Sequence, residues 1–154
     1  EISYQILFPY AAFFVAMSFV TMCFVMHGDS RAEVKTGLDA FEDMDGHEFE
    51  YFCADLLEQR GFVEVEVTRG SGDYGIDILA EKDGVTYAVQ CKRYTAPVGV
   101  KAIQEAYAGR DYYDRMVGAV MTNQYFTAPA VEAAKKLKIL LWDGGYVESM
   151  MEED

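Results

Sequence analysis

The sequence has few cysteines and histidines, and both shortages exclude a class of site. The three cysteines, Cys23, Cys53 and Cys91, are odd in number and widely spaced, so they predict no disulfide framework and fit a reducing compartment. The two histidines, His27 and His47, have no second Cys or His at the spacing of a zinc site. The sequence also lacks internal repeats and low-complexity tracts, so it is neither a repeat array nor a biased linker.

Basic residues are scarce as well. The chain has 13 Lys and Arg against 26 Asp and Glu, which gives a net charge of −13 at pH 7. A charge of this sign is unusual for a protein that binds nucleic acid. The imbalance is uneven, because residues 28–83 carry 5 basic and 16 acidic residues, whereas residues 84–147 carry 8 and 5. The second segment can therefore present a local basic surface, although Lys135, Lys136 and Lys138 fit a solvated helix end better.

One apolar run stands apart from the rest of the chain. Residues 6–26 form a stretch of 21 residues without a charge. At about 1.5 Å per residue, a helix of this length spans the roughly 30 Å hydrocarbon core of a bilayer. The run is long for a signal peptide and has no basic segment before it. A buried core helix is the other alternative. We expect residues 1–27 to form a transmembrane helix that enters the lipid bilayer through residues 6–26.

The charges after this run predict its orientation. Arg31 and Lys35 follow it closely, and no Lys or Arg precedes it in the sequence. The positive-inside rule then places the following domain on the cytoplasmic side of the cell membrane, in a single-pass protein. Residues 28–43 are polar and predict a connector.

Residues 44–147 have the pattern of a mixed α/β domain, and residues 148–154 predict an acidic tail. Asp45 and Glu48 fit a capping box at the start of the first helix. Strands are predicted at 63–68, 76–82 and 85–92. They are followed by a helix at 99–113, a strand at 117–122, a helix at 129–137 and a strand at 139–142. This αβββαβαβ order predicts a mixed sheet with helices on both faces.

The second and third strands are joined by Asp83-Gly84, a pair typical of a type I′ hairpin turn. Lys82 then pairs with Val85, and the register can be extended from there along both strands. One face of the hairpin is apolar and is predicted to point into the core. Its residues are Ile76, Ile78, Val89 and Cys91.

The other face of the hairpin is polar. The extended register places Asp77 opposite Gln90 and returns Lys92 to the same side of the sheet. A carboxylate, an amide oxygen and an ammonium group at this spacing suit a hard divalent cation beside a phosphodiester. A simple surface ion pair between Asp77 and Lys92 is the alternative.

The order of these residues resembles a known family. Asp77 followed by Gln90-Cys91-Lys92 is similar to the D-x(n)-(E/Q)-x-K signature of the PD-(D/E)xK nucleases, and the Gln variant resembles the catalytic domain of Mrr-type (type IV) restriction endonucleases. The likeness spans residues 44–145, about 100 of the 154 residues, with its segments in the same order. Segment 44–62 resembles the first helix of the family, 69–81 its glycine-rich approach and first catalytic strand, and 89–94 its second catalytic strand. Segment 120–145 resembles the later strand, helix and final strand.

This resemblance implies a restriction-endonuclease-like fold and a metal-dependent DNA endonuclease, acting by family analogy on foreign or modified DNA. It implies that Asp77, the Gln90 side chain and the backbone carbonyl of Cys91 hold Mg²⁺, or Mn²⁺ in its place. Lys92 would orient the attacking water. Glu50 matches a glutamate of the family's E-F-E element and would bind the metal or polarise its water.

Contacts to DNA are expected from Arg93, at the strand end, from Lys101, and from the glycine-rich turn around Gly72. This turn also fits the G-x-G-x-x-G pattern of dinucleotide sites, but it precedes a strand rather than a helix. Many restriction nucleases cut as dimers, so a homodimer is expected by analogy. The uncharged Gln90 and the acidic composition favour one alternative function, a membrane-tethered binding or scaffold module that has lost turnover.

Overall fold

Five strands form one sheet, and helices pack on both of its faces. The computed structural model of the chain describes residues 41, 43–68, 72 and 74–152. The predicted span at 6–26 and most of the predicted connector lie outside these residues. None of the helices between Gly46 and Glu152 combines the length and the hydropathy needed to cross a bilayer.

The order of the elements agrees with the order predicted from the sequence and adds one helix at the end. The elements of the described chain are α1 (Gly46–Gln59), β1 (Val63–Val67), β2 (Ile78–Lys82), β3 (Val85–Lys92), α2 (Val100–Tyr112), β4 (Val117–Thr122), α3 (Ala128–Leu137), β5 (Ile139–Trp142) and α4 (Gly144–Glu152).

The sheet has the strand order β1-β2-β3-β4-β5. The first two pairings are antiparallel, and the pairings of β3 with β4 and of β4 with β5 are parallel. Parallel neighbours need a crossover connection, which α2 and α3 supply. β3 therefore lies in the middle of the sheet, where it has a hydrogen-bonded neighbour on each side.

The start of α1 is fixed by the predicted capping box. The backbone amide of Glu48 donates to the Asp45 carboxylate at 2.8 Å, and the amide of Asp45 donates to the Glu48 carboxylate at 2.8 Å. Glu48 is thus engaged as a cap partner. The helix then buries Phe49, Cys53 and Leu57 completely.

Each face of the sheet carries one main cluster of buried apolar side chains. The cluster on the α1 face includes Phe49, Leu57, Val89, Cys91 and Trp142. The cluster on the opposite face joins α2 and α3 to the sheet, and its members include Val98, Ile103, Ala106, Val120 and Ile139. Helices on both faces were predicted, and the structure confirms them.

The predicted acidic tail is instead mostly helical. α4 continues to Glu152 and buries Val147 and Met150, which are three positions apart and therefore lie on one side of the helix. These two apolar side chains pack into the core on the α1 face, so the core extends past residue 147.

The β2–β3 hairpin has the predicted register from Lys82 opposite Val85 to Ile78 opposite Val89, but the predicted pairing of Asp77 with Gln90 does not form. The regular pattern ends at Asp77, whose backbone amide donates to the carbonyl of Val89 at 2.9 Å. Two successive residues thus face Val89, as at a β-bulge.

This irregularity separates Ile76 from Ile78. Ile78 packs in the cluster on the α1 face, whereas Ile76 packs with Leu79 and Ala88 and lies against Gly109 of α2. The prediction that Ile76 shares a face with Ile78 is therefore wrong. A bulge adds one residue to a strand, so it breaks the two-residue alternation on which that prediction depended.

Candidate active site

The carboxylate of Asp77 lies at the irregular end of β2 and is half-buried. Its Oδ2 atom accepts a hydrogen bond of 2.6 Å from the backbone amide of Cys91. Its backbone carbonyl accepts from the amide of Thr68 at 2.8 Å. Asp77 is therefore held between β3 and the end of β1, and its carboxylate lies beside the backbone of the Gln90-Cys91-Lys92 segment.

Gln90 and Lys92 meet on the α2 face of the sheet. The Gln90 side chain is completely buried, and its Nε2 donates to Oε2 of Glu105 at 2.6 Å. The Nζ atom of Lys92 lies 3.4 Å from the same oxygen. Glu105, which is on α2, thus connects two of the residues predicted from the sequence.

Glu105 was not among the site residues predicted from the sequence. Partial burial opposes its ionisation, but the hydrogen bond from Gln90 and the charges of Lys92 and Lys101 outweigh that effect and lower the pKa of Glu105 from its ordinary value of 4.5. The only local sequence signal was Lys101 one turn earlier, a spacing that also fits an ordinary pair on a helix surface. The contact with Gln90 joins residues 15 positions apart and becomes visible only when α2 packs on the sheet.

The end of β3, which carries Lys92, is hydrogen-bonded to the end of β4. The hydroxyl of the buried Thr122 donates to the backbone carbonyl of Lys92 at 2.6 Å. Next to it, the side chain of Asn123 donates to and accepts from the backbone of Tyr94, with both distances 2.9 Å. These bonds fix the backbone on both sides of Arg93.

Glu50, on α1, approaches the site from the other face of the sheet. Its Oε2 atom lies 2.8 Å from Nδ1 of His47. A hydrogen bond with Cys53 and burial raise the pKa of the Cys91 thiol well above its ordinary value, and the negative charges of Asp77 and Glu50 add to this rise. Cys91 therefore keeps its proton and serves as a packing residue, with two carboxylates near it.

The three residues expected to contact DNA lie in different settings. The Nε atom of Arg93 donates to the backbone carbonyl of Phe41 at 3.1 Å, so this side chain holds the chain segment before α1. Gly72 is exposed, with φ +84° and open space where a Cβ would be. The Lys101 side chain is 88% exposed, and its Nζ lies 3.5 Å from Oε1 of Glu105.

A cavity of about 540 Å³ opens beside Lys92, Lys101 and Glu105. Its walls combine the glycine-rich turn, the end of β3 and one side of α2. The lining residues are Tyr74, Gly75, Lys92, Lys101, Gln104, Glu105 and Ala108. Two ammonium groups and one carboxylate therefore face the same space.

The donor atoms near the end of the hairpin are of the chemical type that a divalent cation binds. Asp77, Glu50 and the carbonyl of Cys91 offer hard oxygen ligands of the kind that Mg²⁺ prefers. The Oε1 atom of Gln90 is a buried acceptor that has no hydrogen-bond partner in the described part of the chain. Among the same residues, no group of three or more His, Cys, Asp and Glu is placed to hold a metal ion. A cation here would depend on amide, backbone and water oxygens as well as on carboxylates.

Comparison with known proteins decides the family. The family model described as restriction endonuclease, Mrr_cat, matches residues 41–151 of the chain. The chain belongs to this restriction endonuclease family. It carries a restriction endonuclease catalytic domain, and the mixed sheet flanked by helices is the fold of such enzymes. No curated protein matches the chain.

Three solved structures have a similar fold. A protein of unknown function, AF1548, is 27% identical with a TM-score of 0.57, and the match covers 66% of this chain and 60% of AF1548. The DNA modification-dependent restriction endonuclease AspBHI is 18% identical with a TM-score of 0.53, over 67% of this chain and 30% of AspBHI. The MspJI restriction endonuclease in complex with a 27-mer oligonucleotide is 21% identical with a TM-score of 0.58, over 80% of this chain and 31% of MspJI. The chain thus matches about a third of the length of AspBHI and of MspJI.

Proposed function

We propose that the protein is a metal-dependent endonuclease that hydrolyses phosphodiester bonds in DNA. The observation that carries the proposal is the position of Asp77, Gln90 and Lys92 at one end of the β2–β3 hairpin, within a restriction endonuclease domain. AspBHI is a DNA modification-dependent restriction endonuclease, and the structure of MspJI is a complex with an oligonucleotide. By this likeness, we propose foreign or modified DNA as the substrate.

Each residue of the site has a role in this reaction. Asp77, the carbonyl of Cys91, Oε1 of Gln90 and Glu50 would hold Mg²⁺, or Mn²⁺ in its place. Such a cation acts as a Lewis acid on the phosphate and makes water a better nucleophile.

The basic groups act on the DNA itself. The ammonium of Lys92 orients the attacking water and stabilises the negative charge that develops on the phosphate. Lys101 lies on the wall of the cavity beside Lys92 and would contact a neighbouring phosphate.

The test is cleavage of supercoiled plasmid by the full chain, purified in detergent micelles, with and without Mg²⁺ or Mn²⁺. Asp77→Asn keeps the size and an acceptor oxygen but removes the charge, and we expect it to slow nicking by about 100-fold or more. Asp83→Asn is the matched control, because it makes the same change at the far end of the same hairpin, where Asn tolerates the left-handed turn conformation (φ +53°). Equal rates in the wild type and in Asp77→Asn would contradict the proposal.

One alternative is a binding or scaffold module without turnover. The neutral side chain at position 90 and the net charge of −13 favour it. DNA binding by the full chain without metal-dependent nicking on either unmodified or base-modified plasmid would support this alternative.

We also propose that the protein is anchored in the cell membrane through residues 6–26, with the nuclease domain in the cytoplasm. The support is the uncharged run of 21 residues and the basic residues that follow it. Extraction of the full chain from membranes by alkaline carbonate would count against this anchor.

A further inference from the structure

The side chain of Glu105 occupies a central position on the α2 face of the site. One of its oxygens, Oε2, accepts from Nε2 of Gln90 at 2.6 Å and lies 3.4 Å from Nζ of Lys92. The other oxygen, Oε1, lies 3.5 Å from Nζ of Lys101. This single carboxylate therefore contacts Gln90 and Lys92 of β3 and a basic residue beside the cavity.

The contact with Glu105 determines which way the Gln90 amide points. An ionised carboxylate only accepts hydrogen bonds, so the NH₂ group of Gln90, and not its oxygen, must face Glu105. The oxygen is then directed away from that carboxylate, where it is buried without a hydrogen-bond partner in the described part of the chain. A buried acceptor in this state is unfavourable by itself. The strong bond to Glu105 at the other end of the amide offsets this cost.

Glu105 also supplies a charge that the strand lacks. Position 90 is occupied by a neutral amide, so β3 brings one positive side chain, Lys92, and no negative one to this face. The Lys92 side chain is largely shielded from solvent, with 22% of its surface exposed. An ammonium in such a setting needs a nearby negative charge, and Glu105 lies at salt-bridge distance from it.

We propose that Glu105 is the positioning residue of the active site. It holds the Gln90 amide with its oxygen available as a ligand, and it supplies beside Lys92 the negative charge that is absent from position 90. The inference rests on the proposed nuclease function, since positioning has meaning only for the residues that act on DNA.

The test uses the full chain in detergent micelles and three variants. Glu105→Gln removes the charge and keeps the shape. The double variant Q90E/E105Q returns the charge to the strand and reverses the hydrogen bond, because the amide introduced on α2 then donates to the carboxylate introduced on β3. Glu132→Gln, at an exposed position of α3 outside the site, is the matched control.

We expect Glu105→Gln to lower kcat by about 10- to 100-fold, the usual effect of losing a residue that orients a metal ligand. KM for DNA should stay within about twofold, because Glu105 itself bears no charge that attracts phosphate. The double variant should exceed Glu105→Gln in kcat by about 10-fold. An unchanged kcat in Glu105→Gln would overturn the proposal, and so would a double variant that folds but is no more active than Glu105→Gln.

A second readout does not depend on cleavage. In ¹H–¹⁵N spectra of the metal-free protein, the side-chain amide signals of Gln90, identified by their absence in Gln90→Leu, should move in Glu105→Gln and stay in place in Glu132→Gln. Unmoved Gln90 signals in Glu105→Gln would overturn the positioning role. Absence of cleavage by the wild type together with moved signals would instead contradict the nuclease proposal alone.

Discussion

Gly75 lies directly beside Gln90, so that a Cβ atom at position 75 would be 2.9 Å from Nε2 of Gln90 and 3.2 Å from Cβ of Glu105. Gly75 also has a φ of +78°, in the left-handed region. Glycine alone meets both conditions without strain. The turn before Asp77 is therefore packed against the Gln90–Glu105 pair.

Gly75→Ala should lower both stability and activity. The left-handed conformation costs about 1–2 kcal/mol for alanine, and the contact with Gln90 adds about 1–3 kcal/mol of overpacking. Because the displaced side chain is Gln90, we also expect nicking to slow by at least about 10-fold. Urea unfolding followed by the fluorescence of Trp142, the single tryptophan, measures the first effect.

Gly84→Ala is the control for this prediction. Gly84 has the same φ of +78°, but nothing lies within 4 Å of the point that a Cβ atom would occupy there. This variant should lose only the conformational cost and keep its nicking rate. Equal losses of stability in the two variants would contradict the proposed contact at position 75.

Leu57→Ala should lower the free energy of unfolding by about 2–5 kcal/mol, since Leu57 is completely buried against the sheet and truncation leaves a cavity. Leu140→Ala makes the same change on β5, where the side chain is 43% exposed, and should cost less than about 1 kcal/mol. Thermal unfolding followed by circular dichroism compares the two. Similar losses would show that α1 does not anchor the core as described.

The stability of the protein should fall in alkaline solution because of Cys91. Its hydrogen bond with Cys53, its burial and the charges of Asp77 and Glu50 raise the pKa of the thiol above the ordinary 9.0. Well below pH 9.0 the thiol is protonated in both states, and its contribution to stability is complete. Above that pH only the unfolded chain releases the proton, so stability decreases by up to about 1.4 kcal/mol per pH unit until the raised pKa is passed.

Urea unfolding between neutral pH and about pH 10.5 measures this decrease in the wild type and in Cys91→Ala. The variant should be less stable at neutral pH, because it loses packing, but its stability should fall less steeply with pH. Identical slopes in both proteins would assign the alkaline loss to other groups.

Lys101→Gln should weaken DNA binding in a salt-dependent way. If Lys101 neutralises one phosphate, the slope of log Kd against log salt concentration should decrease by about 0.9. Lys138→Gln is the control, since Lys138 precedes β5 at the end of the sheet that is far from Lys92. Fluorescence anisotropy with a labelled duplex gives both slopes. A change of the same size in the salt slope of Lys138→Gln would indicate that the DNA does not bind specifically beside Lys101.

Local sequence patterns predicted the hairpin well. The Asp83-Gly84 pair fixed the pairing of Lys82 with Val85, and each further pair to Ile78 and Val89 followed from the two-residue period. The capping box at Asp45 was equally local. In both cases the signal that sets the structure is short, the two turn residues or the cap pair three positions apart, so it is visible in the sequence itself.

The features that were missed depend on distant parts of the chain. The bulge at Asp77 reverses the face of Ile76, and the space for that side chain is provided by Gly109 of α2. Glu105 meets Gln90 only through the packing of a helix on the sheet. Apolar spacing in α4 could have revealed its buried residues, but the acidic residues around them concealed the pattern.

The bulge also determines how this segment can vary in length. Ile76 and Ile78 are buried on opposite faces although they are two positions apart in the strand. Deleting one residue between Gly75 and Ile78 would restore regular alternation, and it would also remove or displace the carboxylate that bonds Cys91. A substitution at the exposed Gly72 changes the surface, whereas an insertion or deletion next to Asp77 changes which face of the sheet the neighbouring side chains of the strand point to. We therefore expect related natural sequences to keep the number of residues between Gly75 and Ile78 more strictly than the residue types.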